Sequence, residues 1–217
     1  MFICGIDENG RGSLLGPLVI TAAVFESEKE ELLKEIGVKD SKKISKEKRE
    51  ELYEILKKEA KEIKIIKIFP PEIDYFLKFT NLNSLEAKKI SDLIEMTNAD
   101  IYFIDSVTKS KKFKNEILKY VNKKVEIHVE NYLDENNVFV AAASIIGKVE
   151  RDREIEKLKE EMKIDFGSGY PSDQKTINFI KEFYFKYKDF PSFVRKSWIT
   201  IDKIKNEIKI KSLKDFL

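Results

Sequence analysis

The chain has 217 residues, 42% of them hydrophobic and 37% charged, with 41 basic side chains against 39 acidic ones. That is enough apolar material for one large core and excludes wholesale disorder, while the near-balance of charge means that affinity for nucleic acid must come from local patches. A single cysteine, Cys4, excludes an internal disulfide, no apolar run has the length of a membrane span, and Met1 leads straight into an apolar segment with no room for a signal peptide, so a cytoplasmic protein with no membrane partner is expected.

Met1 to Ile6 reads as a buried strand that ends on two acids, Asp7 and Glu8, followed by the turn-forming Asn9-Gly10-Arg11-Gly12. After Gly16-Pro17, Leu18 to Phe25 is a second apolar strand, close enough to the first to pair with it as an antiparallel or mixed edge. Glu26 to Ile36 is helical in period, Asp40-Ser41-Lys42-Lys43 is a polar elbow, and Ser45 caps a helix buried along Leu52, Ile55 and Leu56. A strand over Ile63 to Phe69 stops at Pro70-Pro71, a short helix follows at Glu72 to Lys78, and Asn81 opens a helix running to Thr97. Ile101 to Ile104 is again an apolar strand ending in an acid, Asp105. Then come a helical stretch (Lys109 to Tyr120), a strand (Lys124 to Val129), an acid-bearing loop (Glu130 to Asn137) and a long helix from Val138 to Met162. The first half of that helix is rich in alanine and suited to packing on a sheet. Gly167 to Asp173 is the most loop-like stretch, with Ser172 or Asp173 as a cap, and a tail that alternates aromatic, basic and helical segments, Phe179 to Tyr187, Pro191 to Arg195 and Ser197 to Lys211, completes the chain. Strands alternating with helices predict an α/β layer structure whose chemistry gathers at the C-terminal strand ends.

Those ends carry acids. Adjacent strand residues face opposite ways, so Asp7 and Glu8 converge on one ion only if the chain turns at that point. The only histidine, His128, falls in an expected strand, which leaves no nucleophile–histidine arrangement, and no Gly-rich loop with Lys-Ser is present. Carboxylates with nearby lysines suit hard divalent cations rather than zinc. Two such ions about 4 Å apart are a known solution for phosphodiester hydrolysis.

Seven motifs in order, Gly5 to Gly12 with Gly16-Pro17, Asp40 to Lys43, Asn81-Leu82-Asn83, Ile104-Asp105, Ala141 to Ile146 with Lys148, Arg151 and Asp152, Gly167 to Asp173, and Pro191 to Trp198, together resemble ribonuclease HII, the last in its archaeal form. The resemblance implies a ribonuclease H-like fold with a mixed central sheet flanked by helices over residues 1–188 and a helical C-terminal segment over 189–217. It also implies an enzyme that cuts RNA in RNA–DNA hybrids and incises 5′ of single ribonucleotides in duplex DNA, using two Mg²⁺ or Mn²⁺ ions and leaving 5′-phosphate and 3′-hydroxyl ends; with no sign of an oligomer interface in the sequence, a monomer is expected. By motif, Asp7, Glu8 and Asp105 are three catalytic metal ligands. The fourth falls on Asp134, with Glu130 and Glu135 close by in the same loop. Gly10, Arg11 and Gly12 match the loop that reads the ribose 2′-OH, the group that separates RNA from DNA. Tyr170 matches the residue stacked at the RNA–DNA junction, and Lys42, Lys43, Ser144 and Lys148 are further substrate contacts. Asn9 and Gly147 stand where alanine is usual and Ser13 where proline is common; glycine at 147 should loosen its helix by roughly 1 kcal/mol. A non-catalytic binding module of the same fold is the competing reading.

Overall fold

The computed structural model describes residues 1–39 and 44–214; the expected phosphate contacts Lys42 and Lys43 lie outside the described residues. Strand β1 (Phe2–Asn9) pairs antiparallel with β2 (Leu18–Glu26) on one side and parallel with β4 (Ile101–Asp105) on the other. With β3 (Glu62–Ile68) beside β2, and β5 (Glu126–Glu130) parallel to β4, the order is β3-β2-β1-β4-β5. The first two strands are therefore antiparallel neighbours, but they occupy the middle of a mixed sheet, because β3 covers the outer side of β2.

The helices are α1 (Glu30–Glu35), α2 (Lys46–Glu59), α3 (Pro70–Phe76), α4 (Leu82–Met96), α5 (Ser110–Leu118), α6 (Leu133–Asn136), α7 (Val138–Met162), α8 (Gln174–Tyr187) and α9 (Ile199–Lys214). Three starts follow from side-chain caps: Ser45 accepts from the Lys48 N–H at 3.2 Å, Asn81 from that of Ser84 at 3.1 Å, and Asp173 from that of Lys175 at 3.0 Å. Each satisfies a helix-end donor that would otherwise have no partner. Among the described residues no helix is long and apolar enough to cross a membrane.

Two compact units divide the chain. The first comprises Met1–Asn9, Val19–Lys67 and Thr80–Glu150 and contains nearly all of the sheet. One face of that sheet buries Ile3, Ala23 and Phe25 against Leu33, Leu52, Leu56 and the alanine-rich start of α7. Gly5 makes this packing possible: a Cβ there would overlap the Phe139 carbonyl at the start of α7. Tyr102, on β4, is fully buried, and its hydroxyl meets the end of α4, 3.3 Å from the Ile94 carbonyl oxygen and 3.0 Å from that of Thr97.

The second unit comprises Gly10–Leu18, Ile68–Phe79 and Arg151–Leu217. Its core is aromatic: the rings of Phe166 and Phe179 lie 5.2 Å apart and those of Phe166 and Phe193 5.6 Å apart, with Leu14, Leu15 and Ile180 around them. A single bridge, Leu15 to Val194, ties the segment before β2 to the one before α9.

Candidate active site

Strand alternation and register decide where the acids go. The parallel pairing sets Ile6 beside Ile104, so one step further along Asp7 stands beside Asp105, both on the face where Gly5 meets α7. β1 does not turn at Glu8 but continues through Asn9, and the left-handed residue that breaks it is Gly10, with φ of 81°. The strand expected over Met1 to Ile6 therefore runs on to Asn9, because Glu8 and Asn9 still pair with Ile20 and Val19 on β2, and the condition for Asp7 and Glu8 to converge by a turn is not met. Glu8 is half-buried and leaves the strand on the face opposite Asp7.

Asp134 comes from α6, a one-turn helix inside what reads as a loop, entered through Tyr132 in the left-handed conformation. Asp7, Asp105 and Asp134 are all buried, at 6%, 8% and 3% exposure, whereas Glu130 and Glu135 are exposed. Burial pushes the Asp7 carboxyl up to about 7; the charges of Asp105 and Asp134 raise it further, while the Ser144 hydroxyl and the Glu8 N–H, donating to it, pull the other way. Asp105 Oδ1 accepts from the Leu133 N–H at 2.7 Å, which fixes α6 against the end of β4. Ser144, expected at the substrate, is buried and bonded to Asp7, and Lys148 lies one turn further along α7, half-buried.

Three buried aspartates that raise one another's proton affinity are an unfavourable arrangement that a divalent ion would relieve. The donor set of hard oxygens, with no histidine or thiol, suits Mg²⁺ or Mn²⁺. Among the described residues, no three acids, histidines or cysteines stand close enough to hold an ion as their side chains are now placed.

The second unit holds the Gly10-Arg11-Gly12 loop. Gly10 needs its positive φ, and a Cβ there would come within 2.9 Å of the Pro17 carbonyl oxygen. Gly12 is exposed, with no atom within 4 Å of where a Cβ would project, so packing does not explain its lack of a side chain. Two buried guanidinium groups brace this loop, and sequence reasoning gave neither a role. Arg195 donates to the Arg11 carbonyl at 2.8 Å and to that of Gly16 at 3.1 Å. Arg151 donates to Ser13 Oγ and to the Ser168 carbonyl, both at 2.8 Å, and lies 4.6 Å from the centre of the Tyr170 ring. Arg151 thereby links the loop to the half-buried tyrosine expected at the junction. Ser13 also has its own function, since its N–H donates to the Gly10 carbonyl, a bond that proline could not make. Both arginines lie inside quoted motifs, but only the fold reveals that they are buried.

The family model for ribonuclease HII matches residues 4–201. The chain belongs to the ribonuclease HII family. Its relatives include the ribonuclease HII of Pyrococcus furiosus, 40% identical over 97% of this chain and 94% of that one, and that of Nanoarchaeum equitans, 45% identical over 89% and 92%. Among solved structures, ribonuclease H2 from Pyrococcus horikoshii superposes with a TM-score of 0.88 at 38% identity, covering 96% of this chain and 99% of that one. Bst-RNase HIII in complex with Mn²⁺ shares the fold, with a TM-score of 0.78 at 18% identity over 97% and 71% of the two chains. The ribonuclease H-like fold with its mixed sheet and C-terminal helical segment is therefore as expected. The protein is an enzyme of the ribonuclease H class.

Proposed function

We propose that the protein cuts RNA within RNA–DNA hybrids and incises on the 5′ side of single ribonucleotides in duplex DNA, with two Mg²⁺ or Mn²⁺ ions as cofactors. The observation that carries this reading is Asp7, a buried carboxyl held near 7 beside Asp105 and Asp134. Asp7, Asp105 and Asp134 would hold the ions, joined by Glu8, whose longer side chain starts from the other face of β1. When bound, the ions supply charge neutralisation at the phosphodiester and a nucleophile available at neutral pH. Mn²⁺ in the structure of the more distant Bst-RNase HIII agrees with that donor set.

The chain's own groups do the positioning. Ser144 and the Glu8 N–H orient Asp7, and the Leu133 N–H orients Asp105. Gly12 leaves its backbone open, so a ribose can come within hydrogen-bonding distance of main-chain groups, and the 2′-OH supplies both a donor and an acceptor for them. Tyr170, backed by the Arg151 guanidinium, offers a ring face to the nucleotide at the junction. Lys42, Lys43 and Lys148 neutralise backbone phosphates, which positions the duplex without reading its sequence.

The test is incubation of the protein with duplex DNA carrying one embedded ribonucleotide, in Mg²⁺, in Mn²⁺ and in chelator. A cut 5′ of the ribonucleotide that vanishes with chelator is expected. No cut in either metal, or one that survives chelation, overturns the reading.

A further inference from the structure

We propose that Asn9 is a positioning residue for Asp7, and that Gly147 is glycine in order to admit it. Asp7 and Asn9 are two apart on β1 and face the same way, towards α7. The Asn9 amide nitrogen lies 3.4 Å from Asp7 Oδ2 and 3.3 Å from the Ser144 carbonyl. One NH₂ group has two hydrogens, and here it has two acceptors, one on the site carboxylate and one on the helix backbone. Asn9 is only 8% exposed, so water does not substitute for either bond. Ser144 also bonds Asp7 directly, through its hydroxyl. The carboxylate is thus held from two sides by groups that are themselves held by α7.

The space for this amide comes from one position. A Cβ on residue 147 would sit 2.7 Å from Asn9 Nδ2 and 2.8 Å from Thr21 Oγ1, closer than nonbonded atoms tolerate. Thr21 is the residue opposite Asp7 on β2, so the notch opens directly behind the carboxylate. Asn9 and Gly147 both replace the alanine expected from the resemblance. They do so as a matched pair: the larger side chain on the strand fills the volume given up by the helix.

This inference rests on Asp7 being a metal ligand, and the experiment separates the two. Mn²⁺ affinity by titration calorimetry, urea midpoint of the chelated protein, and kcat and KM on a hybrid are measured for wild type, Asp7→Asn, Asn9→Ala, Gly147→Ala and the Asn9→Ala/Gly147→Ala double variant. Gly147→Ala should lower the urea midpoint and weaken Mn²⁺ binding about tenfold, as expected for loss of a structure that orients a ligand. In the Asn9→Ala background the same change should lower the midpoint by less than half as much, since only the Thr21 hydroxyl remains to move. Asn9→Ala should weaken Mn²⁺ binding about fivefold to tenfold and reduce kcat with KM unchanged, and the double variant should regain stability without regaining affinity. An equal cost of Gly147→Ala in both backgrounds, or wild-type Mn²⁺ affinity in Asn9→Ala, overturns the pairing, as does full recovery of affinity in the double variant. If Asp7→Asn itself binds Mn²⁺ like wild type, the metal assignment fails instead.

Discussion

Neutralising Asp7 should make the metal-free protein more stable, and by an amount that depends on pH. Burial and two neighbouring aspartates lift this carboxyl from an ordinary 3.8 to about 7. The folded state therefore holds a proton that the unfolded chain releases near 4, so stability falls as pH rises between those two values and is level above the upper one. At about 1.4 kcal/mol for each tenfold change in proton affinity, the cost above pH 7 reaches about 4 kcal/mol. The carboxyl is 6% exposed, so solvent screening takes little from that figure. Asp7→Asn keeps the shape and an acceptor oxygen but has no charge to bury. In urea unfolding with chelator present, the variant should exceed wild type by up to about 4 kcal/mol near pH 8, and by under about 2 kcal/mol near pH 5. With Mn²⁺ added at pH 8, wild type should gain stability by mass action and the variant far less. A variant that is no more stable than wild type at pH 8, or whose advantage does not change with pH, would refute the crowded-carboxylate account.

Four further outcomes follow from particular contacts. Gly5→Ala drives a Cβ into the Phe139 carbonyl and should cost about 3 kcal/mol or more in urea unfolding, since backbone cannot rotate aside as a side chain can. Gly12→Ala meets no protein atom and should leave the melting temperature unchanged while lowering incision at a single ribonucleotide; unchanged incision would remove Gly12 from the substrate interface. Tyr170→Ala should weaken single-ribonucleotide incision more than cutting of long hybrids, and Arg151→Lys, which loses the planar guanidinium beside the Tyr170 ring, should shift the same ratio in the same direction. Asp173→Ala removes the cap of α8 and the acceptor for the Ser168 N–H, and should cost about 1–2 kcal/mol by thermal unfolding.

Much of this was legible in the sequence because the signals were local. Caps at Ser45, Asn81 and Asp173, apolar strands of the right length and the alanine half of α7 each announce themselves within a few residues. The acids at strand ends were equally visible, and register explains why Asp7 and Asp105 face the same side. What escaped depended on distant partners. Nothing near Glu8 reveals that β2 holds β1 extended as far as Asn9. The motif spacing falls on Asp134, but nothing near it shows that it is buried while Glu130 and Glu135 are exposed, because burial is set by α6 lodging against Asp105. Arg151 and Arg195 look like surface charges until their carbonyl partners, up to 184 positions away in the chain, are known. Asn9 and Gly147 look like two unrelated departures from a motif; only their proximity makes them one.

The mixed pairing of β1 also bears on the order in which the chain assembles. Its antiparallel neighbour begins at Leu18, close in sequence, whereas its parallel neighbour begins at Ile101. Closing the short loop is entropically cheap and fast, and bringing β4 alongside is slow. The hairpin can thus form with Asp7 set against an uncharged threonine, and electrostatic repulsion enters only when β4 docks and brings Asp105 to its side. The barrier to folding should therefore be sensitive to divalent ions at this late step: Mg²⁺ should speed the final docking phase in stopped-flow refolding and leave hairpin formation untouched.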